Sequence, residues 1–170
     1  TMIVHSADGT RLHTEVFGPS NGYPIVLAHG ITCSLQAWHE QINDLARDFR
    51  VIAYDHRGHG RSGVPAPSAY SLDHLAADLD AVLSSVLRPG ERAVVAGHSM
   101  GGIAISAWSD RFRDRVADLV ESLVEHHELG SVLQARSVLL GQRVKLFDRL
   151  GNENGGESVQ GLVLCVFHTK

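Results

Sequence analysis

Hydrophobic positions along the chain follow two rhythms, one with period two and one with the spacing of a helix. Met2–His5 and Leu12–Phe17 alternate apolar and polar residues on either side of Asp8-Gly9-Thr10, predicting a β-hairpin at a sheet edge. Gly18-Pro19-Ser20-Asn21-Gly22 is a turn cluster, and Pro24-Ile25-Val26-Leu27-Ala28 is an unbroken apolar run, as in a strand covered on both faces. The period then changes. Leu35, Trp38, Ile42, Leu45, Ala46 and Phe49 recur at helical spacing, and Val51-Ile52-Ala53-Tyr54 is the next buried strand. Ser71 is the expected N-cap of a second helix, with Leu75, Leu79, Val82 or Leu83, and Val86 as its stripe and Arg88-Pro89-Gly90 as its stop. Ala93-Val94-Val95-Ala96 is a third buried strand, and a helix opens at Met100.

Strands alternating with helices from Ile25 onwards predict an α/β fold: a mostly parallel, doubly wound sheet, helices on both faces, and an antiparallel hairpin at its N-terminal edge. Ligands of such sheets bind at the carboxyl ends of strands, where His29, Asp55 and Ser99 all fall. Beyond Trp108 the pattern weakens. Val116, Leu119, Val120, Leu123 and Val124 follow a helical stripe, and Ser131 to Leu150 is broadly helical. A polar loop over 151–158 precedes Val159 to Phe167, which resembles one more strand. The expected organisation is a core over residues 1–116 and a helical segment with a final strand over 117–170. An uncovered central strand would be prone to pairing, so the tail is expected to cover that edge or the chain to self-associate there.

Charge and cysteine content narrow the partners. Fifteen Lys and Arg against 19 Asp and Glu give a formal charge of −4, with no basic run of the kind that binds nucleic acid. Leu162 to Phe167 is too short to span a bilayer, and the N-terminus, where Thr1 precedes Met2, shows no signal pattern. Cys33 and Cys165 match no zinc or redox spacing. The expectation is a cytoplasmic protein with neither nucleic-acid nor membrane partners.

The chemistry concentrates in Gly97-His98-Ser99-Met100-Gly101-Gly102. This G-x-S-x-G pattern lies between a valine-rich strand and an apolar helix, which predicts a sharp strand–turn–helix bend with Ser99 at its apex. Bulky residues two positions either side would collide with neighbouring backbone. Such a bend lifts the Ser99 hydroxyl above the sheet, with the Met100 amide at the helix N-terminus facing developing negative charge. Asp55-His56-Arg57-Gly58-His59-Gly60-Arg61-Ser62 follows the preceding strand. Asp55 and Arg57 are expected to fix its turn, Gly58 and Gly60 to permit positive φ, and a metal set of Asp55, His56 and His59 is the disfavoured alternative.

Together with His29-Gly30, these segments resemble the α/β-hydrolase fold family in its esterase, lipase and cofactor-free haloperoxidase branch. The resemblance covers Met2 to Val116 and implies a sheet of that type, incomplete on its C-terminal side. It implies Ser99 as nucleophile, the Met100 and Ile31 amides as an oxyanion hole, and His29, Gly30, Gly97, His98 and Gly101 as the shapers of loop and elbow. No cofactor or metal is implied, and the substrate is a small ester or acyl compound; peroxide can replace water as acyl acceptor. The family order is Ser, acid, His, but none of the 71 residues after Ser99 resembles the family's acid loop or Gly-His segment. His168 is considered as a base on one condition, that Val159 to Phe167 pairs in parallel beside Ala93 to Ala96. His126, His127 and Asp148 read first as helix-end or exposed groups. The expected function is a serine hydrolase acting through an acyl-enzyme at Ser99. The alternative is a catalytically incomplete member serving in binding or assembly, or a truncated product.

Overall fold

The computed structural model describes residues 1–115 together with the strands Ser122–Glu125 and Leu162–Val166. In chain order the elements are β1 (Met2–His5), β2 (Arg11–Phe17), β3 (Pro24–Ala28), a 3-10 turn (Leu35–Trp38) leading into α1 (His39–Leu45), β4 (Arg50–Tyr54), α2 (Leu72–Val86), β5 (Val94–His98), α3 (Met100–Arg111), β6 (Ser122–Glu125) and β7 (Leu162–Val166). The strands form one sheet in the order β1-β2-β4-β3-β5-β7-β6.

The sheet is parallel at its centre and antiparallel towards both edges. β3 pairs in parallel with β4 and with β5, because helical crossovers return the chain to the same end of the sheet. β1 and β2 form the expected hairpin, and β2 adds antiparallel to β4. Successive side chains of a strand face opposite sides, and the core divides accordingly. Val26, Ala28, Ile52, Tyr54 and Val95 pack with Leu79, Val82 and Leu83 of α2 and with Ile105 and Trp108 of α3. Ile25, Leu27, Val51, Ala53, Val94 and Ala96 pack on the other face with Leu35, Trp38, Ile42 and Leu45.

This winding creates the crevice. The chain leaves β3 for the α1 face and leaves β5 for the α3 face, so the loops after these two adjacent strands diverge at their carboxyl ends.

In the tail the structure corrects one expectation and decides one open condition. Leu123 and Val124, expected on a helical stripe, lie in strand β6, which pairs antiparallel with β7. A short apolar run satisfies either period, and here pairing with a neighbouring strand decides. The final strand forms, but β7 runs antiparallel to β5, with Leu162 opposite His98 and Cys165 opposite Val95. Its carboxyl end therefore lies towards the start of β5, at the far end of that strand from Ser99. The region predicted helical over 131–150 lies outside the described residues.

Candidate active site

β5 ends at His98 and α3 begins at Met100, so Ser99 alone makes the bend between them. Its φ of 51° and ψ of −114° put a non-glycine residue at positive φ, which costs conformational energy and persists only where packing imposes it. Two glycines supply that packing. A Cβ on Gly97 would stand 2.6 Å from the carbonyl oxygen of Gly101, and one on Gly101 would run into the carbonyl oxygen of Ala28. Helix α3 thus sits directly against the end of β3. Ser99 is exposed, and Met100, as the first residue of α3, has an N–H without an intrahelical acceptor at the positive end of the helix.

The loop after β3 lies alongside. A Cβ on Gly30 would stand 2.8 Å from His98 Nδ1, so the exposed His98 covers this glycine from the elbow side. His29 is fully buried. Its Nε2 accepts the His56 amide at 3.0 Å, which leaves the ring proton on Nδ1, donated to Gly30 O at 2.7 Å. Burial pushes its pKa down, assisted by His59 and opposed by the Gly30 bond and Asp55. His29 is therefore a neutral tie within the loop. Ile31 is 61% exposed, and Thr32 beyond it has φ 62°.

The loop after β4 is densely hydrogen-bonded. The Asp55 carboxylate accepts the amides of Leu35 at 2.7 Å and Arg61 at 2.9 Å, and the Ser62 hydroxyl donates to Asp55 O at 2.6 Å. Gly60, at φ 51°, lies against that carboxylate with no room for a Cβ. Arg57 is buried and donates through Nε and Nη2 to both oxygens of Asp78, at 2.7 and 2.5 Å, and through Nη1 to Asp8 at 2.9 Å and Ala69 O at 2.7 Å. His59 repeats the pattern of His29: Nδ1–H donates to Arg57 O at 2.9 Å and Nε2 accepts the Thr32 amide at 3.3 Å.

His56 differs. Its ring packs edge-on to His29 at 4.7 Å and Tyr54 at 5.0 Å, and neither ring nitrogen has a hydrogen-bond partner among the described residues. Burial, then the neighbouring imidazoles of His29 and His59, push its pKa down to about 3, so it is a neutral spacer rather than a proton carrier. As the sequence predicts, Asp55 and Arg57 fix the turn. Asp55 and His59 commit their polar atoms to main-chain groups, and among the described residues no group of His, Cys, Asp and Glu is placed to hold a metal ion.

The structure thus brings His29, Gly30, Ile31, Gly97, His98, Ser99, Met100 and Gly101 to one end of the sheet. Among the described residues no imidazole or carboxylate hydrogen-bonds the Ser99 hydroxyl. His126, His127, Asp148 and His168 lie outside the described residues. The parallel pairing on which a role for His168 depended is not the one formed, because β7 runs antiparallel to β5. Sequence reasoning missed Asp78. Its signal was a carboxylate three residues after Leu75 and four before Val82, on the core-facing stripe of α2.

Comparison with known proteins places this geometry. Residues 23–155 match the model of a family described as the alpha/beta hydrolase fold. The chain belongs to that family. It is 40% identical over 123 residues to the Mycobacterium tuberculosis protein "Probable oxidoreductase EphD", covering 72% of this chain and 20% of that one. It is 39% identical over 140 residues to a non-heme haloperoxidase of Rhodococcus erythropolis, covering 81% of this chain and 43% of the relative. Among solved structures, the enol-lactonase of Burkholderia xenovorans LB400 superposes with a TM-score of 0.59 at 33% identity, covering 67% of this chain and 43% of the lactonase. The chain therefore spans less than half the length of these alpha/beta hydrolase relatives.

Proposed function

We propose that this chain carries the nucleophile half of a serine hydrolase that acts on carboxylic esters or related acyl compounds through an acyl-enzyme at Ser99. The observation that carries the reading is the backbone of Ser99, held at positive φ between β5 and α3 with its side chain exposed beside the first amide of a helix. A structural turn would place glycine or asparagine there more cheaply. Similarity to an enol-lactonase supports the ester class, because a lactone is a cyclic ester.

In this reading a base takes the Ser99 proton as Oγ attacks the substrate carbonyl carbon. The carbonyl oxygen becomes an oxyanion received by the Met100 and Ile31 amides, each such donor being worth about 3 kcal/mol of barrier. Collapse expels the alcohol with that proton, and water then releases the acid by the same steps. The scheme uses only protein groups and needs no cofactor. Among the described residues no helix is long and apolar enough to cross a membrane. We place the protein in the cytoplasm because Cys33 is an exposed free thiol, at home in a reducing compartment.

Turnover of p-nitrophenyl acetate that disappears in Ser99→Ala, with fluorophosphonate labelling of Ser99, is the expected result. A second reading is a catalytically incomplete member serving in binding or assembly, because none of the 71 residues after Ser99 resembles the family's acid loop or Gly-His segment. Neither turnover nor labelling would select it.

A further inference from the structure

If the Ile31 amide receives an oxyanion, its direction must be fixed, yet Ile31 lies in the exposed stretch 31–33 and Thr32 after it sits at φ 62°. A β-branched residue does not hold that conformation unaided. Ile31 lies between two peptide groups. The first contains Gly30 O and Ile31 N–H, and it is planar and trans, so a bond at its oxygen fixes the direction of its N–H. His29 makes that bond at 2.7 Å, joined by the Cys33 amide at 3.3 Å. The second contains Thr32 N–H, and its donor reaches His59 Nε2 at 3.3 Å. The His59 ring is itself oriented through Nδ1–H on the carbonyl of Arg57, whose guanidinium is anchored by Asp78 and Asp8.

We propose that His59 is a positioning residue for the anion-receiving loop: its Nε2 holds the Thr32 amide and, with His29 on the other side, clamps Ile31 between two imidazoles. The clamp links the loop after β4 to the loop after β3 and ties the exposed tip of the latter to the Arg57 core. This inference rests on the hydrolase reading for its catalytic consequence, but not for its structural one.

Two substitutions separate the atoms. An asparagine at 59 can still donate to Arg57 O from the position of Nδ1, but its amide stops short of the position of Nε2. A glutamine reaches that position with an acceptor oxygen. The readouts are amide hydrogen exchange at Thr32 in the full chain, followed by NMR, and the rate of fluorophosphonate labelling of Ser99, resolved into reversible binding and bond formation. In His59→Asn, exchange at Thr32 is expected to rise about threefold to tenfold, the range set by one hydrogen bond. Bond formation should slow by a similar factor with reversible binding unchanged. His59→Gln should restore both. Unchanged Thr32 exchange in His59→Asn overturns the clamp, as does equal slowing of labelling in the Asn and Gln variants, which would mark a merely structural role. No labelling of the wild-type chain would remove the hydrolase reading, and the exchange comparison would still decide whether His59 holds the loop.

Discussion

At Ser99 the constraint comes from residues that have no side chain. Gly101 touches the Ala28 carbonyl, so a methyl group there must push α3 off the end of β3. Gly101→Ala is expected to lower stability by about 2 kcal/mol, in the range of overpacked sites, and to lose Ser99 labelling, read from the urea midpoint and the probe. His56 sets a prediction in pH. Its ordinary value of 6.5 falls to about 3 on burial, so between these values the unfolded chain takes up a proton that the folded chain refuses. Stability is complete above about pH 6.5 and is lost as pH falls towards 3, by at most about 1.4 kcal/mol per pH unit for this proton. His29, also pushed down by burial, acts in the same sense. The urea midpoint of His56→Phe should therefore decline less steeply than that of the wild type from about pH 6 to pH 4; equal slopes would exonerate His56.

Among the elements, α2 shows how local signals and long-range bonds divide the work. Ser71 caps it, its side chain accepting the His74 amide, and Leu75, Leu79, Val82 and Leu83 face the core. All of that is written in a few consecutive residues and was legible. Asp78 shares the same stripe because its partner, Arg57, comes from another loop 21 residues away, and no local pattern announces such a pairing. Asp78→Ala leaves the Arg57 guanidinium buried with Asp8 as its remaining carboxylate, and is expected to cost about 3 to 5 kcal/mol in chemical denaturation. A loss under about 1 kcal/mol would mean that Asp8 and Ala69 O suffice. The strands β3, β4 and β5 were equally legible, since both faces are covered and each is a plain apolar run. β6 was not: Leu123 and Val124 fit a helix as well as a strand until a partner strand is present. The elbow was legible down to its glycines, whereas the double imidazole link between loops depends on ring nitrogens meeting main-chain groups that sequence does not place.

For the whole molecule, the decisive feature is that β7 lies on β5 and runs against it. A sequence can suggest that a last strand exists, but its direction depends on which rim of the sheet the preceding chain reaches. We propose that β7 keeps this central strand from pairing with other molecules. Deletion of residues 159–170 should expose β5 as an edge, speed amide exchange over Val94–His98, and produce dimers or larger species in sedimentation. A shortened chain that stays monomeric with protected amides would refute this. The bend at Ser99 has a wider consequence. Because main chain decides where the Cβ at the apex stands, the mount does not depend on serine in particular. A carboxylate or thiol installed there would start from the same Cβ and face the same crevice, so the frame itself would not need rebuilding to present a different group.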